Sequence, residues 1–181
     1  MAEKRLILAS GSPRRSELLS KMGYTFETCA QDVDEHISGV PSEIVRTLAV
    51  RKAHAAAEHT SGVVIASDTL VSLDSKPLGK PADAEDAKRM LRALSNREHE
   101  VFTGVCVLDT ETGREEVRVE RTGVHFRPIA ETEIEEYVQT GEPMDKAGAY
   151  AIQGGAGVFV DALDGSFSNV MGFPTKAVRE M

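Results

Sequence analysis

Asp68 follows a wholly apolar run, Val63-Val64-Ile65-Ala66, and stands between Ser67 and Thr69. The run reads as a strand ending at Ser67-Asp68-Thr69, and the crevice beyond strand ends is where open α/β sheets bind ligands. A carboxylate there can take a proton from water or hold a divalent metal; an Asx-turn is the plainer use of the same residue. Cations stand at three other places: Arg14 with Arg15, Lys52 beside Arg51 in an alanine-rich stretch, and Lys80 between Gly79 and Pro81. An ordinary exposed lysine is the alternative for Lys52, whereas the loop at Lys80 is constrained. Asp34 and Glu35 offer hard oxygen ligands for Mg²⁺ or Mn²⁺, or else a solvated acidic loop. Should these groups converge, cations on phosphates with carboxylates on metal and water form the set that phosphoanhydride cleavage requires.

The segment Ala9-Ser10-Gly11-Ser12-Pro13-Arg14-Arg15 breaks a rule that ordinary helix starts obey. Ser12 is a natural N-cap and Pro13 a natural first helical residue. Both arginines then fall in the first turn, where the helix dipole and free N–H groups already present positive potential. That placement is unfavourable unless an anion sits among them, and a glycine-bearing loop entering a helix N-terminus is an anion site. A solvated arginine pair is the alternative. The spacing matches neither the dinucleotide glycine fingerprint nor the P-loop.

The elements that must position these groups follow from patterning. Leu6-Ile7-Leu8-Ala9 reads as a buried strand, followed by a helix with Leu18, Leu19 and Met22 on one face and Gly23 at its end. Tyr24 to Cys29 reads as a second strand. Pro41-Ser42 opens a long helix through Ile44, Leu48 and Ala49, ended by Gly62. After the central strand at 63–66, a polar hairpin at Asp74-Ser75-Lys76 leads to Leu78-Gly79-Lys80-Pro81. Asp83 caps a helix with Ala87, Met90, Leu91 and Leu94 at helical spacing, and Asn96 suits a left-handed cap. Strands are expected over 100–108 and 115–127, then a helix whose capping box is Thr132 and Glu135 and whose stop is Gly141. Asp164-Gly165 signals a hairpin between two late strands. The expectation is an α/β fold: a strongly twisted mixed sheet flanked by helices, parallel early and antiparallel late, with two lobes around a cleft.

A length of 181 residues suits one domain, and the formal net charge of −8 argues against broad nucleic-acid binding while leaving room for a local basic pocket. No apolar run approaches a membrane span, and no signal peptide is evident. Cys29 and Cys106 read as two buried free thiols, with a single disulfide as the alternative. The five histidines are scattered, with none paired at a metal-ligand spacing.

Five blocks in order resemble the Maf family along essentially the whole chain. They are Ala9 to Arg15, Ser67-Asp68-Thr69, Leu78-Gly79-Lys80-Pro81, Lys146-Ala147-Gly148-Ala149-Tyr150-Ala151-Ile152-Gln153-Gly154, and Val170-Met171-Gly172-Phe173-Pro174. The resemblance implies a single Maf-like domain over 1–181 with a fold like that of the inosine triphosphate pyrophosphatases. It implies a cytoplasmic, house-cleaning nucleoside triphosphate pyrophosphatase that uses a divalent metal, releases a monophosphate and pyrophosphate, and commonly forms a homodimer. Neither nucleic acid nor membrane is an implied partner. By position, Asp68 matches the family's proton acceptor, and Arg14, Thr69 and Gln153 match positions linked to substrate choice. Ser10, Arg15, Glu35, Lys52 and Lys80 match polar pocket positions expected to hold triphosphate or metal, with Glu35 taken as the metal ligand. The Asp-Thr pair with Ala-Tyr-Ala-Ile-Gln-Gly resembles the branch acting on dTTP and UTP. Gln153 would then pair its amide with the imide edge of a pyrimidine, and Arg14 would favour an oxo group. The competing implication is a nucleotide-sensing regulator of septum formation that does not turn substrate over. Phe167 and Asn96 depart from the family's usual Tyr and Gly. The chain also stops soon after Pro174, where a longer C-terminal helix is usual, which bears on any dimer contact.

Overall fold

The first apolar run forms β1 (Leu6–Leu8), with Ile7 and Leu8 fully buried. The structure, a computed structural model, describes residues 3–181. Next comes α1 (Pro13–Lys21), capped by Ser12 as expected, with Pro13 as its first residue. β2 shrinks to Glu27–Thr28 from the expected 24–29, because only these two residues pair with β1 at the sheet's edge. α2 (Pro41–Ala57) buries Ile44, Val45, Leu48, Ala49, Ala53 and Ala56 along one face. Then follow β3 (Val63–Leu73), β4 (Lys76–Leu78), α3 (Ala84–Leu94), β5 (Glu98–Asp109), β6 (Glu115–Phe126), α4 (Glu131–Gln139), β7 (Val160–Asp164), α5 (Phe167–Val170) and α6 (Thr175–Glu180). No helix among the described residues is long and apolar enough to cross a membrane.

The strand order is β2-β1-β3-β5-β6-β7, with β4 paired to β3. β1 runs parallel to β2 and β3, and every later pairing is antiparallel, so the sheet is mixed in the expected sense. Apolar packing gathers at two ends. At one end α2 covers Val64 and Ala66 on one face, while Leu19, Phe173 and Val178 cover Ile65 on the other. At the far end α3 and α4 pack with Val71, Val101, Phe126 and Tyr150. The cleft described below lies between these lobes.

Three further expectations need correction. β3 does not stop at Ala66 but continues to Leu73, so Ser67, Asp68 and Thr69 lie within the strand. Asp68 and Thr69 are tolerated because both line the cleft, whereas Ser67 is fully buried with its hydroxyl unpartnered. α4 starts at Glu131, not after Thr132, because Glu133 accepts the Ala130 N–H at 2.9 Å and pairs with Arg127. Asp164-Gly165 ends β7 without a hairpin: the next residue, Ser166, caps α5 by accepting the Asn169 N–H. The glycine-rich tail between α4 and β7 folds as three short 3₁₀ turns, Glu142–Asp145, Ala147–Ala149 and Gly155–Phe159. Cys29 and Cys106 are both free thiols.

Candidate active site

β3 pairs with β1 through Ile65 and with β4 from Val71 onward, so between them one edge of β3 has no strand neighbour. Adjacent side chains in a strand point to opposite faces. Asp68 and Thr69 therefore flank this open edge from either side, and both line a cleft of about 450 Å³. The ligand crevice beyond a strand end is thus the end of β1, not of β3. That is why a site residue can sit in mid-strand.

On the α2 side, Lys52 Nζ lies 2.9 Å from Asp68 Oδ1 and 3.0 Å from Glu35 Oε1. Both the Lys52 and Asp68 side chains are 13% exposed, whereas that of Glu35 is 60% exposed. Burial raises the Asp68 carboxyl above its ordinary range, and the charges of Lys52 and Arg15 oppose that rise. A carboxylate so placed is a stronger base than one in water.

On the α1 side, Arg15 is the hub. Its Nε donates to the Gly172 carbonyl at 2.8 Å, Nη2 to Thr69 Oγ1 at 3.1 Å and Nη1 to Ser10 Oγ at 3.5 Å. Burial lowers Arg15 to about 10, with Asp68 pulling the other way. Thr69 Oγ1 also shares a hydrogen bond with Thr103 Oγ1 at 2.9 Å, and Thr103 donates to the Asn169 carbonyl at 3.2 Å. Ser10 is buried behind the wall and supports the loop by accepting the Ser12 N–H at 3.1 Å.

Arg14, Lys80 and Gln153 complete the cleft lining with Arg15, Lys52, Asp68, Thr69 and Glu35. Asp34 stands apart, its carboxylate turned to His36. Sequence reasoning gave Lys146 no role, yet its side chain lines the cleft at 14% exposure beside Asp145. Lys146 stands between two 3₁₀ turns, just before Gly148, whose φ is +71°. The lining carries five cations (Arg14, Arg15, Lys52, Lys80, Lys146) against three carboxylates (Glu35, Asp68, Asp145) in a protein of net charge −8. An excess of positive charge in one cleft of an acidic protein concentrates polyanionic ligands. Among the described residues no three His, Cys, Asp or Glu side chains gather as a metal cage.

The chain is similar to known proteins over nearly its whole length. The dTTP/UTP pyrophosphatase of Desulforamulus reducens is 49% identical over 178 residues, covering 97% of this chain and 93% of that protein. That of Pelotomaculum thermopropionicum is 46% identical over 181 residues, covering 98% and 95%. Among solved structures, the Staphylococcus aureus Ham1 protein is similar with a TM-score of 0.49 and 18% identity, over 68% of this chain and 72% of that one. The profile described as Maf-like protein matches residues 5–181, and the chain belongs to the Maf family.

Proposed function

We propose that the protein is a nucleoside triphosphate pyrophosphatase that hydrolyses dTTP and UTP to the monophosphate and pyrophosphate. The observation that carries this reading is the buried Asp68 paired with Lys52 inside a cleft ringed by five cations. The relatives' names supply the substrate class. Arg14, Arg15, Lys52, Lys80 and Lys146 bind and neutralise the triphosphate oxygens. Asp68 orients a water against the α-phosphorus and takes its proton as the new P–O bond forms. The bond from the α-phosphorus to the α,β-bridging oxygen breaks, and pyrophosphate leaves. Arg15 is held rigid by Gly172, Thr69 and Ser10, so it meets the substrate in a fixed orientation. Gln153 pairs its amide with the imide edge of the pyrimidine, and Arg14 favours an oxo group.

The donor set fits a divalent cation. Glu35, whose side chain is 60% exposed at the cleft, offers a hard carboxylate that together with substrate phosphates and waters suits Mg²⁺. Bound there, Mg²⁺ or Mn²⁺ would neutralise phosphate charge. Nucleotide pools of this kind belong to the cytoplasm, which is the compartment this reading assigns.

The test is a panel of canonical and modified nucleoside triphosphates with Mg²⁺ or Mn²⁺, with pyrophosphate and monophosphate measured apart from orthophosphate. Pyrophosphate release led by dTTP and UTP supports the reading. Nucleotide binding without turnover across the panel overturns it in favour of a sensor.

A further inference from the structure

Gln153 is exposed at the cleft, in a turn closed by the Gly154 N–H donating to the Ala151 carbonyl at 3.1 Å. The backbone is gripped two residues to either side of it. On one side the Ala151 N–H donates to Tyr137 Oη at 3.0 Å. On the other the Gly155 N–H donates to Glu142 Oε2 at 3.1 Å. Burial, with the Glu142 carboxylate nearby, pushes the Tyr137 hydroxyl above its ordinary range, so it stays protonated. Tyr137 is anchored in the far lobe's core, 6% exposed and edge-on to Phe159.

Glycine makes the grip possible. A Cβ at Gly154 would fall 2.6 Å from Glu142 Cδ, and one at Gly155 would fall 3.0 Å from the Tyr137 ring. Gly154 has a negative φ of −107°, so its glycine serves to admit the carboxylate and not to permit a left-handed backbone. Neither Glu142 nor Tyr137 lines the cleft. Their shared target is the short backbone arc whose centre is Gln153.

We propose that Glu142, acting with Tyr137, is a positioning residue for base selection: it fixes the arc 151–155 so that the Gln153 amide meets the pyrimidine edge in one orientation. This rests on the reading of Gln153 as the base-contacting residue. A site built to hydrogen-bond one edge rejects a base lacking it only while its own groups stay in register. Loosening the arc therefore blurs the choice of base and leaves phosphate chemistry in place.

The experiment compares kcat and KM for dTTP, UTP and dCTP in the parent, Glu142→Ala, Glu142→Gln, Gln153→Ala and the Glu142→Ala/Gln153→Ala double variant. In Glu142→Ala the ratio of kcat/KM for dTTP over dCTP falls about tenfold through KM for dTTP, as expected for a lost hydrogen-bonding register. Its kcat at saturation stays within about threefold of the parent, because the reacting groups are untouched. Glu142→Gln, which keeps an acceptor oxygen, recovers most of the ratio, and the double variant is no less selective than Gln153→Ala. An unchanged ratio in folded Glu142→Ala, an equal loss on all three nucleotides, or multiplicative losses in the double variant overturns the proposal. If Gln153→Ala collapses the ratio and Glu142→Ala does not, base reading stands and only the positioning role falls. If Gln153→Ala keeps the parental ratio, base reading by Gln153 falls and the proposal falls with it. Should Glu142→Ala not fold, Tyr137→Phe removes the acceptor of the Ala151 N–H without changing shape, and it must lower the same ratio.

Discussion

Gly104 is the cross-strand partner of Asp68, and the space left by its missing side chain is filled by the backbone of α2. A Cβ there would lie 2.6 Å from the Val45 carbonyl carbon and 2.9 Å from the Arg46 nitrogen. The helix thus lies flush on β5, and Lys52, about two turns beyond Val45 on the same face, reaches Asp68. Gly104→Ala must push α2 outward. Overpacking of this kind costs about 1–3 kcal/mol, so a lower urea midpoint and weakened turnover are expected together. A variant with the parental midpoint would show that α2 accommodates the methyl freely.

Asp68→Asn keeps the size of the side chain but removes the base. Turnover should fall roughly 10²–10⁴-fold, the usual worth of a positioned general base, with an unchanged circular dichroism spectrum. A folded Asp68→Asn protein that retains substantial activity would assign the base elsewhere.

Thr103 is fully buried and bridges Thr69 to the Asn169 carbonyl. Thr103→Val preserves shape and removes one bond from each partner, while Arg15 still holds Thr69 and the Gly172 N–H still donates to the Asn169 carbonyl, so thermal denaturation should show a loss of about 0.5–1.5 kcal/mol. Arg15 would then hold a Thr69 hydroxyl with one fixed partner fewer. The effect on nucleotide affinity should therefore exceed that of Thr132→Val, an exposed position on α4 outside the cleft lining.

His99 is buried at 2% exposure, with Nε2 2.6 Å from Tyr150 Oη and its ring edge-on to Phe126. Burial lowers it from 6.5 to about 4. Between those values the unfolded chain binds a proton that the folded chain refuses, so stability falls as the pH drops from 6.5 towards 4 and levels off below. The full span is worth about 3 kcal/mol. Urea titrations of the parent and His99→Gln across this window should differ in slope, the variant being flatter. Equal slopes would remove His99 from the acid response.

Strong periodicity made some parts legible in advance. The face of α3 at Ala87, Met90, Leu91 and Leu94 is buried as its spacing requires, and Asn96 adopts the left-handed φ of +55° that its place after the helix suggests. The Ser12 cap and the arginines behind it were equally plain, because local rules alone decide them. Asp68 was found for a partly wrong reason. An apolar run that turns polar looks like a strand's end, and only the pairing of β1 and β4 reveals an open edge in mid-strand. Gly104 and Lys146 depend on what another segment does nearby, which no local pattern encodes. An isolated glycine inside a strand was nevertheless a sign of close backbone approach.

The hydrogen bond from Arg15 to the Gly172 carbonyl joins residues 157 positions apart. At synthesis rates of 5–20 residues per second, α1 waits roughly 8–30 s on the ribosome before its acceptor exists. Until then Arg15 has no carbonyl at Gly172 to orient it, and the wall of the cleft that it shares with Thr69 stays unfinished. The nascent chain therefore completes this wall of its binding pocket only once Gly172 has been made, and a message cut short before it yields a chain whose Arg15 keeps Thr69 and Ser10 but lacks that carbonyl.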